Sequence, residues 1–588
     1  MAVLRLLAAV VLCSVSFASA NPPASAGSSL LGSLSLHDRI AQLIIVRGYG
    51  DYPPSDNAEY QRFLRWITHT HVGGFIVAGR IRNGEVIPAQ PFEMAAFINH
   101  VQKLAKTPLL VGSDFERGAS MRVAQTARFP YMMAFGAARD LGAVKQLGVA
   151  TAREARSLGV NWAFAPDADV NNNPDNPIIN TRSFGEDPQM VAENVAAFID
   201  GAHSDPANYV LLSAKHFPGH GDTAQDSHLQ LARLDQPKER IEQVELVPFR
   251  AAIKHGVDSI MTAHLAVPAF EPEEKPATVS RNILTGLLRD ELGFKGLVVT
   301  DALEMQAVAG LYGPGEAAVR AIEAGADVLL MPTDPDACVR DIMNAVAHKR
   351  ITIQHINASV QKVLAAKQRV GLFRNRYVSL DHISDDLEQR KLDVLAQTVA
   401  NRSFTLVKDD KHLFPMPEGE GSCLVILNEG EFSLRGQIFV RKLRAAAAPL
   451  TVYVTNPSLP ETLLTSFASD MTHCKQIYAA AFITVAANRG SVALEGGLSG
   501  FLKTVVSGTV PVALISFGNP YLLRDFPDVS AYAATFSVAS TSEAAAADAL
   551  LGNIAITGKL PVSIPPLAKI GEGLDVLAHP RPASNGSK

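Results

Sequence analysis

Tyr209-Val210-Leu211-Leu212-Ser213-Ala214-Lys215-His216-Phe217-Pro218-Gly219-His220-Gly221-Asp222-Thr223-Ala224-Gln225-Asp226-Ser227-His228 changes character partway along. It opens on an apolar run and ends in a fourteen-residue stretch with three His, two Asp and a Lys around Pro218, Gly219 and Gly221. A short apolar run bounded by turn residues reads as a strand buried on both faces, and the polar stretch as the loop after it. The same pattern recurs at Leu43 to Val46, Gly74 to Ala78, Pro108 to Gly112, Val160 to Ala165, Asp258 to Thr262, Gly296 to Thr300 and Asp327 to Met331. Helical segments lie between the runs, among them Met190 to Ala202, Lys238 to Lys254 and Gly315 to Ala324. Strands apolar on both faces and alternating with helices predict an α/β fold, a parallel (β/α)8 TIM-type barrel, here spanning residues 37–372.

Chemistry-bearing residues follow the runs directly. Asp114 comes after the third, Asp167 and Asp169 after the fourth, Lys215 and His216 after the fifth, His264 after the sixth and Asp301 after the seventh. Barrels build their sites at the C-terminal ends of their strands, so these residues are expected on one face.

Asp226 and His228 stand two apart. In an extended segment such residues point the same way, and the carboxylate can hold one imidazole nitrogen while the other faces a substrate. Read by itself the stretch admits three meanings. It is an Asp-His proton-transfer pair, a metal loop using His216, His220 and His228, or a polar loop whose His residues only satisfy backbone groups.

The uninterrupted order Lys-His-Phe-Pro-Gly-His-Gly-Asp-Thr followed by Asp-Ser-His resembles the signature of glycoside hydrolase family 3, and within it the NagZ-like β-N-acetylglucosaminidases. The resemblance implies that His228 is the general acid/base, that Asp226 orients it, and that neither a metal nor another cofactor is needed. Phe294-Lys295-Gly296-Leu297-Val298-Val299-Thr300-Asp301 is similar to the family's nucleophile segment, with Asp301 as nucleophile; a strand-end acid is otherwise most often a helix cap. Glu304 is expected a turn into the next helix, without a role. Residue by residue, Asp114 looks like the sugar-hydroxyl acceptor and Arg182 a substrate-binding arginine. Lys215 and His216 match hydroxyl and carbonyl contacts, and His264 a further substrate contact. Phe115 and Arg117 depart from the Gln and Gly typical of the family.

The implied activity is that of a retaining exo-β-N-acetylglucosaminidase on small oligosaccharide or muropeptide substrates. A β-glucosidase-type enzyme, transfer to phosphate, and a cell-wall sugar-binding protein without turnover are the rivals. Phosphate is a rival acceptor because an imidazole that has given up its proton is neutral and does not repel an anion.

The remaining sequence sets the context. The chain has 588 residues, 47% hydrophobic, with 53 basic and 58 acidic residues and a net charge of -5, which argues against nucleic acid as a partner. A basic start, an apolar segment and Ala18-Ser19-Ala20 predict a signal peptide over residues 1–20 and a secreted or periplasmic product. Leu12 before Cys13 argues against a lipid anchor, and no later run is long enough for stable membrane insertion. Residues 21–36 are expected as a flexible leader, 373–387 as a linker, 388–566 as a smaller open α/β sandwich domain and 567–588 as a disordered tail. Strands are expected there at residues 423–428, 451–455, 477–486, 511–517 and 530–536, and a helix at 543–551. Cys338, Cys423 and Cys474 make an odd, widely spaced set, so no disulfide is expected after the leader.

Overall fold

A computed structural model describes residues 26–82, 85–387, 389–417, 421–446, 450–485 and 489–579. The signal peptide expected over residues 1–20 lies outside the described residues. Eight parallel strands form the first sheet: β1 (Ile44–Gly48), β2 (Gly74–Val77), β3 (Leu110–Ser113), β4 (Trp162–Ala163), β5 (Leu211–Phe217), β6 (Ser259–Thr262), β7 (Leu297–Val299) and β8 (Leu329–Leu330). Each expected apolar run yields one of them, usually trimmed by a residue or two. Pairing runs in chain order, and β8 returns to β1, with Ile44 opposite Leu329. The last gap is bridged by the Thr300 N–H on the Val328 carbonyl (3.0 Å) and the Asp327 N–H on the Val298 carbonyl (2.7 Å). The sheet is therefore a nearly closed barrel.

The interior is a packed core. Trp162 and Phe164 are fully buried, and the Trp162 indole donates to Ser259 Oγ across the barrel at 3.0 Å. Large apolar side chains inside and helices outside explain why these runs carry no alternation. Between Ala214 and Phe217, β5 shifts register against β6, so Lys215 and His216 leave the regular ladder at the mouth.

Several expectations change. Residues 26–33 form a helix with Leu30 and Leu31 packed on the barrel core, so the described part of the leader is docked because it is apolar. The segment read as one helix over 238–254 breaks into Lys238–Gln243 and Leu246–Lys254. At the break, buried Glu245 accepts from the Arg240 guanidinium.

The second domain holds six strands: β9 (Thr405–Asp409), β10 (Ser422–Leu427), β11 (Thr451–Thr455), β12 (Gln476–Ile483), β13 (Val512–Gly518) and β14 (Ala531–Ala534), in the order β9-β14-β13-β12-β10-β11. All neighbours are parallel except the antiparallel edge pair β9 and β14. Alternate residues of β10 feed two cores. Leu424 and Ile426 pack with Phe439 and Leu550, while Val425 and Leu427 pack with Leu464 and Phe501. This is an α/β sandwich.

Cys423 at the start of β10 and Cys474 just before β12 form a disulfide, with Cα atoms 5.9 Å apart, which corrects the reading of unpaired cysteines. They are 51 residues apart in sequence but end up at the starts of two adjacent strands, a juxtaposition that spacing does not reveal. The tail is also corrected up to residue 579. Leu574 bridges Leu406 and Val576 bridges Ile556, while residues 580–588 lie outside the described residues. Among the described residues, no helix is long and apolar enough to cross a membrane.

The two domains share packing and polar contacts. Met133, Ala134 and Ala137, on a helix that leaves the barrel, are buried in the second domain's core. Asn171 donates to Tyr521 Oη (2.9 Å), Asn180 to Asn519 Oδ1 (3.2 Å) and Ser563 Oγ to Glu186 (2.6 Å).

Candidate active site

The ends of β3, β4 and β5 bring together a dense charge network. Asp114, one residue past β3, accepts from Lys215 Nζ (3.0 Å) and from the Arg122 guanidinium (3.0 Å). Burial works to raise its carboxyl, but the two cations outweigh it and hold the group at about 2. Lys215 also reaches Glu116 Oε1 at 2.7 Å, and Arg182 clamps both Glu116 oxygens at 2.7 and 3.1 Å. Three cations shared among two carboxylates leave every charge at least one partner, which is what lets such groups stay ionised away from bulk water. Glu116 was not singled out in the sequence. Its spacing from Asp114 is that of two residues on one face of an extended segment, and that signal could have found it.

Behind this network lie Asp167 and Asp169, both fully buried. Asp169 accepts from the backbone N–H of His216 and His220 and pairs with His216 Nδ1 at 2.7 Å. Burial first, and then the charge of Asp169, push the Asp167 carboxyl up. Burial likewise lowers His216 to about 4, with Arg182 adding to the effect, so this imidazole is neutral near pH 7. Its Nε2 lies 3.2 Å from the Arg182 guanidinium and serves as acceptor.

Asp167, Asp169 and His216 have donor atoms close enough to surround a cation. The Arg182 guanidinium already stands 3.8 Å from Asp167, and His216 Nδ1 is engaged by Asp169, so the charge of the cluster is met from within the protein. The His216, His220 and His228 set weighed in the sequence is not assembled as a ligand shell. His220 bonds Thr223 and Ser227, and His228 bonds Asp226. His220 therefore braces the signature loop. A Cβ on Gly221 would collide with the Val170 carbonyl, so this loop lies flat on the one after β4.

Asp226 is buried, and its Oδ1 accepts from both the backbone N–H and Nδ1 of His228, each at 2.8 Å. That orients the ring from one side and leaves Nε2 without a hydrogen bond among the described residues. The His228 side chain is 29% exposed, so the free edge can meet a substrate.

Asp301 follows β7 and Thr300, and its Oδ1 accepts from the Ala302 N–H at 2.7 Å. Burial would raise its carboxyl, but the imidazoles of His216, His264 and His228 together bring it below the ordinary carboxylate value. It is kept as an anion among three imidazoles. His264 is buried, with Nε2 donating to the Ala302 carbonyl (2.9 Å) and Nδ1 paired with Thr278 Oγ1 (2.7 Å). With both nitrogens engaged by the protein, it positions the turn that carries Asp301.

Glu304 is in a turn before the helix Gln306–Ala309, not inside a helix as expected, and it pairs with Arg47 from β1. A buried anionic carboxylate and a carboxylate-oriented imidazole, beside a fixed array of donors and acceptors, suit displacement at an acetal carbon with proton transfer to the leaving oxygen.

Comparison with known proteins agrees with this geometry. The glycosyl hydrolase family 3 N-terminal domain matches residues 35–366. The chain is 28% identical over 554 residues to a β-N-acetylglucosaminidase/β-glucosidase from Cellulomonas fimi, covering 90% of this chain and 94% of that one. The structure of a family 3 β-N-acetylglucosaminidase from Paenibacillus sp. str. FPU-7 superposes with a TM-score of 0.80 at 32% identity, covering 90% of this chain and 99% of that chain. A β-glucoside phosphorylase, BglX, shares the fold with a TM-score of 0.81 at 24% identity, over 91% of this chain and 96% of the other. Matched over more than half its length, the chain belongs to glycosyl hydrolase family 3 and is a glycoside hydrolase.

Proposed function

We propose that this chain is a retaining exo-β-N-acetylglucosaminidase, releasing terminal β-linked N-acetylglucosamine through a covalent glycosyl-enzyme. The observation that carries this reading is the pairing of an anionic Asp301 with a His228 whose Nδ1 is tied to buried Asp226. Asp301 attacks the anomeric carbon while His228 Nε2 gives its proton to the departing oxygen. The ring, now neutral, then takes a proton from water as that water displaces Asp301. Asp114, Lys215, Glu116 and Arg182 hold the hydroxyls of the terminal sugar.

The names of the Cellulomonas fimi and Paenibacillus proteins support N-acetylglucosamine as that sugar. Peptidoglycan fragments are the natural source we favour, with the protein secreted or periplasmic. The leader sequence and the Cys423 to Cys474 disulfide both suit an oxidising compartment. The second reading is a broader enzyme that also takes β-glucosides, favoured by the double name of the Cellulomonas fimi relative.

Two variants test the chemistry. Asp301→Ala should form no covalent adduct with a slow fluorinated glycoside, as read by intact mass. His228→Ala should lose about 10²–10⁴-fold on substrates with poor leaving groups and far less on nitrophenyl glycosides. An adduct on the Asp301 variant, or an equal loss of the His228 variant on all leaving groups, would remove the residue from its role. A side-by-side panel of N-acetylglucosaminide and glucoside, with phosphate added or omitted, separates the two readings and detects phosphorolysis.

A further inference from the structure

We infer that the Arg47 and Glu304 ion pair is the polar wall of the leaving-group subsite, binding the hydroxyls of the second sugar of an oligosaccharide substrate. This deepens the proposed function and rests on it. The pair joins two distant parts of the barrel mouth: Arg47 belongs to β1, and Glu304 stands three residues after the nucleophile. The turn between is clamped on both sides. The Ala302 carbonyl accepts from His264 Nε2 at 2.9 Å, and the Leu303 N–H donates to the Leu330 carbonyl at 2.9 Å, with the Leu303 side chain buried. Glu304 is thereby held next to β8 and β1, on the opposite side of Asp301 from β3 to β5, whose residues hold the terminal sugar.

Neither side chain is spent on the core. Arg47 is 38% and Glu304 32% exposed, similar to the 29% of His228. Burial raises the Glu304 carboxyl, while the charges of the Arg47 guanidinium and the His228 ring act in the other direction. In the subsite inferred here, the ring attached to the oxygen that His228 Nε2 protonates comes against the pair. A guanidinium and a carboxylate side by side offer fixed donors and acceptors, the match for vicinal hydroxyls on a neutral sugar.

An exposed apolar side chain, Leu229, stands beside the acid/base. It directly follows His228, is 48% exposed, and is met from the second domain at Gly490, where an added Cβ would lie 3.3 Å from Leu229 Cδ1. A pyranose has a polar edge and an apolar face, and the inferred subsite takes the first on the ion pair and the second on Leu229.

The test compares N,N′-diacetylchitobiose with the nitrophenyl β-N-acetylglucosaminide for wild type, Glu304→Gln and Arg47→Met. Active sites are counted by fluorinated-glycoside titration, so that a folding defect is divided out. Both variants should lower kcat/KM on the disaccharide by about tenfold or more, with a several-fold smaller loss on the aryl glycoside, because a hydrogen bond to a charged group is lost only on the former. Free N-acetylglucosamine should also capture the glycosyl-enzyme less well in the variants, giving a lower transfer-to-hydrolysis ratio. Equal losses on the two substrates, or an unchanged transfer ratio, would overturn the inference. If wild type instead prefers glucosides, the function proposed above fails on its own, and the same ratios taken with cellobiose and nitrophenyl glucoside decide the subsite.

Discussion

Lys215 is the residue on which most of the buried charge converges. It is the cation shared by Asp114 and Glu116, and the pair raises its ammonium against the effect of burial. Lys215→Met should therefore do more than delete one contact to substrate. Asp114 is held at about 2 by Lys215 and Arg122; without Lys215 it rises and begins to protonate in the mildly acid range. A carboxyl whose pKa rises is lost as an acceptor when pH falls through the new value. The loss in kcat/KM should grow from pH 7 towards pH 4, and a ratio to wild type constant across that range would refute the account. At this scale much of the site was legible. Asp226 and His228 are close in sequence, and their spacing fixes their contact. The clamp on Glu116, the hold of Asp169 on His216 and the bracing role of His264 were not legible, because they come from partners far away in the chain, Arg182, His216 and Ala302.

Elements were legible where both faces are buried. The eight barrel runs stood out because their apolar character is continuous, whereas β9 is an edge strand with half-buried Val407, Lys408 and Asp409 and had no such signature. Polar residues inside helices hide for a different reason. Glu154 lies in the helix Leu141–Leu158, is fully buried, and accepts from the Ala119 N–H at 3.2 Å, while its Oε1 has no hydrogen-bond partner among the described residues. Burial, helped by Asp393, pushes its carboxyl up to about 8. The folded state thus keeps the proton between the ordinary carboxylate value and about 8, while the unfolded chain gives it up. This group's contribution to stability is complete at low pH and disappears as pH rises through that window. Glu154→Gln, neutral throughout, should match wild type near pH 4 and exceed it by on the order of a few kcal/mol near pH 8. Denaturant melts at the two pH values check this, and a gain independent of pH would show that packing, not the proton, is responsible.

At the scale of the whole molecule, the second domain fastens a loop of the barrel mouth. The loop from Asn171 to Glu186 carries Arg182 and is fastened to the other domain by, among others, Tyr521, Asn519 and Ser563. These partners are 339 to 377 residues away in sequence, which is why two domains could be counted from composition but their seating could not. Asn519 is the most informative of the three. Its side chain accepts from Asn180 Nδ2 and from the Tyr521 N–H, and donates to the Val492 carbonyl at 2.8 Å. Asn180 itself has a positive φ of 41° two residues before Arg182, so the loop is held in a backbone state that depends on its fastenings. Asn519→Ala leaves these donors and the acceptor without their partner, at a cost of about 1–3 kcal/mol. Part of this should appear as a slackened Arg182, raising KM about three- to tenfold while kcat changes little. Because the proposed function puts Arg182 on the terminal sugar, the rise should be the same for a nitrophenyl glycoside and a disaccharide, the opposite of the pattern expected at Glu304. An unchanged KM in a stably folded Asn519→Ala variant would mean that the loop keeps its shape from the barrel alone, and that the second domain serves only to cover Met133 and its neighbours.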